Sequence, residues 1–299
     1  HDIDAMNRDE AYWNKYRQVD LTKSESSMDS FIHRMENSKG FKWIILGVKA
    51  LMENYVEIGS GPGGKKSKFD LGPVNTYLSK NYVDGIRLRL AGRTMAALNP
   101  HFFWNGYAAY GTKSNEWYTG HVLTYSLNKK KNSPFEFPMR NVTFEVSRDI
   151  MSPSDDNLQH NKDNIFMTFR AATQDEMFLY HRQRLAFTYE TDWGLRFNTG
   201  IRWQSNRTAG NLHYFTLDGN EVKKIRMTDI NVGINYNPGV TYVNTKQQRL
   251  PINLDSPEIG ISHTMGFKGF MGGQYHSNIT KVSIYKRQWL GSFGYLDFH

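Results

Sequence analysis

The residues in this chain best suited to chemistry are arginines. The stretch "YVDGIRLRLAGRT", Tyr82 to Thr94, sets Arg87, Arg89 and Arg93 in alternation with Ile86, Leu88 and Leu90. Arg170, Arg184, Arg196 and Arg202 recur opposite apolar residues in later segments. A guanidinium presents its N–H donors in a planar fork that matches a carboxylate or a phosphate, so this spacing has two readings. Facing Glu145 and Glu190 across an enclosed space, the arginines form a salt-bridged filling; left uncompensated, they form an anion-selective or lipopolysaccharide-handling surface.

Other motifs carry less. "GSGPGGKKS", Gly59 to Ser67, puts Gly59, Gly64 and Lys65 in the register of a phosphate-binding loop. Lys66, however, stands where the magnesium-binding hydroxyl is needed, and Lys68 to Leu71 reads as strand rather than helix, so the stretch is a turn. The ten histidines show no metal-ligand spacing, and the absence of cysteine removes disulfides, thiolate zinc and cysteine nucleophiles. "SDDNLQHNKDN", Ser154 to Asn164, is rich in oxygen ligands without the order of an EF-hand and reads as a solvated loop. Ser262 and His263 are neighbours on a strand, which points them to opposite faces and prevents a nucleophile–base pair. The reading assigns no catalytic residue, cofactor or metal ligand.

The elements that must position the arginines are strands. From Lys68 onward the hydrophobic period is two. "HVLTYSLN", "NVTFEVSRD", "RLAFTYETD", "GLRFNTGIRWQ" and "TDINVGINYN" each alternate an apolar residue with a polar or small one. Between them lie turn chemistries, "NKKKNSP", "ETDWG", "LDGN" and "NPG", and longer polar stretches. A soluble sandwich favours Lys, Glu and Thr on its wet face; here that face carries Arg, Asn, Gly, Thr and Glu, with Gly200 and Gly233 relieving crowding, as the lumen of a barrel requires. Short turns alternating with long loops, and Trp104, Trp117, Trp193, Trp203 and Trp289 near strand ends, point to a membrane barrel with aromatic girdles.

Composition agrees. The net charge is +8 in 299 residues, yet the basic runs Lys65–Lys66 and Lys129–Lys131 sit in turns, which does not make a nucleic-acid surface. Aromatic residues reach 14% of a chain whose mean hydropathy is −0.63. The longest apolar run, Trp43 to Leu46, is far below the ~18 residues of a spanning helix, so a membrane location requires a closed barrel. The chain opens at His1, which reads as a processed or excised piece.

Residues 1–58 differ. Thr22 and Glu25 are spaced as a capping box ahead of Met28, Phe31, Ile32 and Met35 at helical spacing. "FKWIILGVKALMENYVEIG" carries a second helical pattern, Ile44, Ile45, Val48, Leu51 and Met52, with Tyr55 to Ile58 extended.

The segments "LGPVNTYLSKNYVDGIRLRLAGRT", "GYAAYGTKSNEWYTGHVLTYSL", "YNPGVTYVNTKQQRLPINLDSPEIGISHTMGFKGFMGG" and "YKRQWLGSFGYLDF" together resemble a family of outer-membrane β-barrel proteins of unassigned function from Bacteroides-type bacteria. In that family a carboxypeptidase-regulatory-like domain often precedes the barrel. The resemblance covers most of Leu71 to Phe298 and implies location and architecture, with no catalytic residues to carry over. It also implies further strands beyond Phe298, so this chain reads as a barrel incomplete at its C-terminus.

The expectation is an all-β protein: an antiparallel transmembrane β-barrel meander over 59–299, with roughly ten to twelve strands in this piece, and a helical segment over 1–58 at the periplasmic mouth or as a plug. Arg87, Arg89, Arg170, Arg184, Arg196, Arg202, Glu145 and Glu190 are the expected lumen residues. The expected role is transport, export or envelope assembly rather than catalysis, in the outer membrane of a Gram-negative bacterium. Lipid and lipopolysaccharide are the expected partners, possible envelope proteins are further partners, and nucleic acid is not among them. The competing classes are a soluble secreted β domain that binds glycan through exposed aromatics and a barrel-embedded lipid hydrolase.

Overall fold

The structure, a computed structural model, describes residues 15, 38–59, 66–155, 163–165, 174–216, 218–245, 249–253 and 255–298. The chain divides into two compact units, His1–Glu53 and Asn54–His299. In the first, helix α1 spans Lys39–Glu53. Ser38 Oγ accepts the Phe41 N–H at 3.4 Å at its start, and Asn54, with φ 63°, turns left-handed just beyond its end. The earlier helical pattern, Met28 to Met35, lies outside the described residues. Among the described residues no helix is long and apolar enough to cross a membrane.

The second unit is all-β. Its strands are β1 (Val56–Ile58), β2 (Phe69–Leu71), β3 (Leu78–Asn81), β4 (Gly85–Thr94), β5 (Phe102–Gly111), β6 (Trp117–Ser126), β7 (Arg140–Met151), β8 (Glu176–Glu190), β9 (Leu195–Gly210), β10 (Tyr214–Phe215), β11 (Glu221–Val222), β12 (Lys224–Tyr236), β13 (Tyr242–Asn244), β14 (Arg249–Pro251), β15 (Glu258–Gly266), β16 (Ser277–Trp289) and β17 (Tyr295–Phe298). Thirteen of them form one antiparallel sheet in the order β1-β2-β4-β5-β6-β7-β8-β9-β12-β15-β16-β17, with β3 also on β4; β10–β11 and β13–β14 are separate hairpins. The sheet is open as described, with no bond between its first and last strands. Nearly every strand pairs with its neighbour in sequence, as antiparallel strands can without a crossover.

One seam is unusual. β2 and β3 lie end to end along the same edge of β4, pairing with Gly92–Thr94 and with Gly85–Leu88. The turn between them fills the gap, because the Gly72 N–H donates to Ala91 O and the Arg89 N–H to Tyr77 O, each at 2.9 Å. The turn thus continues the pairing of β4 between its two short partners, in line with the requirement that buried amides be paired.

The connections alternate between the two ends of the sheet. At one end, hereafter the β7–β8 end, they cover 112–116, 152–175, 211–223 and 267–276; at the other, 95–101, 127–139, 191–194, 237–257 and 290–294. Both ends carry short and long connections, so the expected division into short turns and long loops is not met. Part of the difference comes from the small hairpins β10–β11 and β13–β14, which lengthen 211–223 and 237–257.

The register keeps side chains sorted by face across the sheet. One outer row runs Trp104, Leu123, Phe144, Leu185, Ile201, Ile230, Met265. On β4, Leu88 and Leu90 are 51% and 61% exposed, whereas Arg87, on the other face, is fully buried. Large apolar side chains on this outer face remain exposed from Ile86 to Ile284, while the buried residues are mostly polar, Asp84, Asp149, Gln204 and Asn206 among them. The two small apolar clusters, Ala109–Tyr118–Ile150–Met177 and Met151–Phe178–Tyr180, both sit toward the β7–β8 end. Trp117, Trp193 and Trp289 lie at strand ends as expected, but Trp203 is mid-strand in β9, which extends well beyond it to Gly210.

The tight β8–β9 turn depends on Gly194, whose φ is 91° and where an added Cβ would stand 2.2 Å from Asn237 O. Gly194→Ala is therefore expected to lower stability by more than about 1 kcal/mol. Gly219→Ala, at φ 79° with open space around it, carries the backbone strain alone and loses less. Denaturant midpoints of the two variants test the ordering.

Candidate functional site

The polar face is built by the same alternation that exposes the apolar one. In register across neighbouring strands stand Asp70, Arg93, Asn105, Val122, Glu145, Arg184, Arg202 and Asp229. Its densest part lies toward the β7–β8 end, around Arg87. There Arg87 Nη1 meets Asp84 at 3.2 Å, Nη2 meets Asp149 at 2.8 Å and Nε meets Asp163 at 3.1 Å, with all four side chains nearly or fully buried. Arg89 Nη1 takes the second oxygen of Asp163 at 2.8 Å. Aromatic faces complete the shell: Arg89 stacks 3.8 Å from the centre of the Tyr107 ring and Arg87 4.7 Å from that of Tyr118.

The carboxylates are themselves held. Asp84 accepts from the Tyr118 hydroxyl at 2.6 Å, Ser114 at 2.7 Å and Asn81 Nδ2 at 2.9 Å, and the Tyr107 hydroxyl donates to Asp149. Burial alone would raise the Asp84 carboxyl, but the hydrogen bonds from Asn81, Tyr118 and Ser114 and the Arg87 charge outweigh it and hold it below the usual carboxylate range. Three carboxylates against two guanidiniums leave the cluster close to charge balance. It therefore acts as a dry cross-tie between β4, β7 and the 152–175 connection rather than as an anion receptor.

The remaining sequence-predicted residues are dispersed along the same face. Arg202 grips Asp229 through Nε and Nη2, at 3.1 and 2.9 Å. Arg196 reaches Glu258 at 3.8 Å, Glu145 meets Arg182 at 3.8 Å, and Glu190 meets Arg249 at 2.7 Å while accepting the Met139 N–H. Arg184 is exposed, stands opposite Glu145 and Arg202 in the register, and makes no ion pair among the described residues. Arg170 lies outside the described residues, as does most of "GSGPGGKKS".

Sequence reasoning missed the partners. Asp149 shares the parity of Glu145 and Ser147 in "FEVSRDIM", a signal that was present; Asp84 sits in a turn and Asp163 in a connection, where no period applies. Asp163 corrects the expectation of a solvated loop, since it is 3% exposed and salt-bridged to both Arg87 and Arg89. Asp163 lies on the polar face because two guanidiniums there need a counter-charge, while 156–162 of that stretch lie outside the described residues. Ser262 and His263 do face opposite ways, opposite Lys281 and Thr280 respectively. Among the described residues no group of His, Asp and Glu converges on a metal position.

In Lys130 the 127–139 connection holds a buried cation. Its Nζ donates to Glu136 O and Pro138 O, each at 2.7 Å. Burial lowers its pKa to about 8 against the opposing pull of Glu136 and Glu190.

Removing one member of a buried ion cluster strands the others, at about 3–5 kcal/mol. Arg87→Met is expected to cost that much, and Arg196→Met, whose pair is long and partly exposed, less than about 1 kcal/mol. Asp84 adds a pH signature. Its folded pKa lies below its unfolded value, so its contribution is present above about pH 4 and disappears as pH falls through the folded value. Asp84→Asn should flatten the acid limb of a stability–pH profile.

A search of curated proteins finds no match to this chain. The family comparison does: residues 61–299 match a model described as the C-terminal domain of a family of unknown function, DUF5686. The match takes in the whole arginine face and every strand from β2 to β17, and the chain belongs to that family.

Proposed function

We propose that the sheet unit is the wall of an outer-membrane β-barrel of a Gram-negative bacterium, with a role in transport, export or envelope assembly. One observation carries this reading: large apolar side chains stay exposed on one face of nine long strands while the opposite face gathers ion pairs and buried polar groups. Soluble monomers rarely leave contiguous apolar patches beyond a few hundred Å² in water. In a bilayer the same face is satisfied.

Dimensions support it. On β9 the outer face runs from Leu195 to Trp203, which is about 27 Å along a strand. At a tilt near 40° that is about 21 Å along a barrel axis, close to the ~25 Å apolar band of outer-membrane barrels. The polar face, with Arg202–Asp229 and Glu190–Arg249 pairs, is suited to a lumen filled by salt bridges. Among the described residues β16 has no neighbour along Ser277–Tyr285 on the side away from β15; in lipid that edge has to be paired for the wall to close. Membrane lipid and lipopolysaccharide are then the surroundings of the outer face, and envelope proteins are the natural partners at the two ends.

Arg184 and Leu185 are adjacent on β8, both exposed, and point to opposite faces. In lipid, Leu185→Arg is expected to lose about 2–4 kcal/mol of folding stability in vesicles, and Arg184→Leu less than about 1 kcal/mol. Folding into vesicles followed by gel-mobility shift reads both. Equal losses, or a parent chain that is monodisperse in buffer without detergent, would overturn the proposal.

A further inference from the structure

Above the apolar band, toward the β7–β8 end, the outer face changes character. The register stacks His121, Val146, Gln183, Trp203 and Thr228 in one row. The next row holds Thr119, Arg148, His181, Ser205 and Arg226, and the one after it brings Arg207 opposite Lys224. A cleft of about 360 Å³ opens here, and Arg148, His181, Trp203, Ser205 and Lys224 contribute to its lining. Arg148 and Lys224 both act electrostatically on His181, so the three groups share one neighbourhood.

The charge in this neighbourhood is only partly answered. Arg148 is engaged, donating to Glu116 at 2.6 Å and to the Trp117 carbonyl. Lys224 and Arg207 make no ion pair or hydrogen bond with other side chains among the described residues, and both are exposed. Many other arginines of this protein are tied to carboxylates, as Arg87, Arg89, Arg202, Arg249 and Arg287 show. Two cations side by side without a carboxylate, at the margin of a face whose middle rows are Leu, Ile and Val, are suited to an anion from outside the protein.

We infer that this cleft binds the phosphate group of a membrane lipid headgroup, with Lys224 of its lining and Arg207, which stands opposite Lys224 in the register beside the lining, as ligands, His181 and Ser205 as flanking hydrogen-bond donors, and Trp203 against the upper acyl chain. The inference rests on the barrel reading above. Its geometry follows from the rows. Lys224 and Arg207 stand four residues beyond Trp203, about 13 Å further along the strand than the last apolar row, which is where headgroups begin once the hydrocarbon band ends at Trp203. Indole rings favour that boundary, and cations there attract anionic headgroups. A free phosphate offers the same chemistry without the acyl contact, and the apolar Trp203 and Val146 in the lining favour the lipid.

The test uses the full chain folded into phosphatidylcholine nanodiscs and measures its preference for spin-labelled phosphatidylglycerol over spin-labelled phosphatidylcholine. The parent is expected to favour phosphatidylglycerol, and each lost cation to reduce the preference about fivefold, so that Lys224→Gln with Arg207→Gln reduces it about 25-fold. Lys286→Gln removes a cation from the same face at the opposite end and should change nothing. A double variant that keeps the preference, or an equal loss in Lys286→Gln, overturns the site. Excess inorganic phosphate that abolishes the preference overturns the lipid as ligand, and a preference that survives it supports the lipid. A parent that inserts but shows no preference refutes this inference alone; a parent that fails to insert refutes the barrel reading and the site with it.

Discussion

Strand register is the constraint on which everything else in this molecule rests. Each strand presents alternate residues to opposite faces, and the pairings from β4 to β16 keep the same parity without a slip. A shift by one residue anywhere would bring arginines onto the apolar face and leucines among carboxylates. The usual anchor of register, a hydrophobic core, is small here. The ion pairs take over that role: Arg202 with Asp229 across β9 and β12, and Arg87 with Asp149 between β4 and β7, are satisfied in one register only.

The Arg87 cluster shows how polar burial is made tolerable. An isolated buried guanidinium is prohibitive, and a single ion pair rarely repays its own desolvation. Arg87 has three carboxylates, each with further hydrogen-bond donors, and aromatic rings that exclude water without adding an opposing charge. Such a network is worth more for defining one arrangement than for net stability.

What could be read in the sequence was what repeats. The two-residue period identified the strands and both faces, and it separated Leu88 from Arg87 and Ser262 from His263. The helical pattern beginning at Phe41 and the extended residues after Tyr55 were legible for the same reason, as α1 and β1. Partnership was not legible. Arg182 rather than Arg184 reaches Glu145, although both share the face, because the choice depends on side-chain reach across a twisted sheet. Arg249, from a small hairpin, and Asp163, from a long connection, belong to segments without a period, and only the folded chain brings them to Glu190 and Arg87. Trp203 looked like a strand end because β9 outlasts the apolar pattern, and the residues beyond it are polar on both faces.

The distance along the chain between Arg87 and its counter-charges has a kinetic consequence. Asp149 follows Arg87 by 62 residues and Asp163 follows Arg89 by 74. While the strands β4, β5 and β6 pair with one another, the nearest carboxylate to Arg87 along the chain is Asp84. Hairpin contacts can form locally, but drying the arginine must wait for a loop of that length to close. Burial of Arg87 is therefore tied to the arrival of β7 and of Asp163 at the same face. The contact that dries Arg87 is thus a long-range one, made between residues 62 apart, and it joins the first strands of the sheet to its middle.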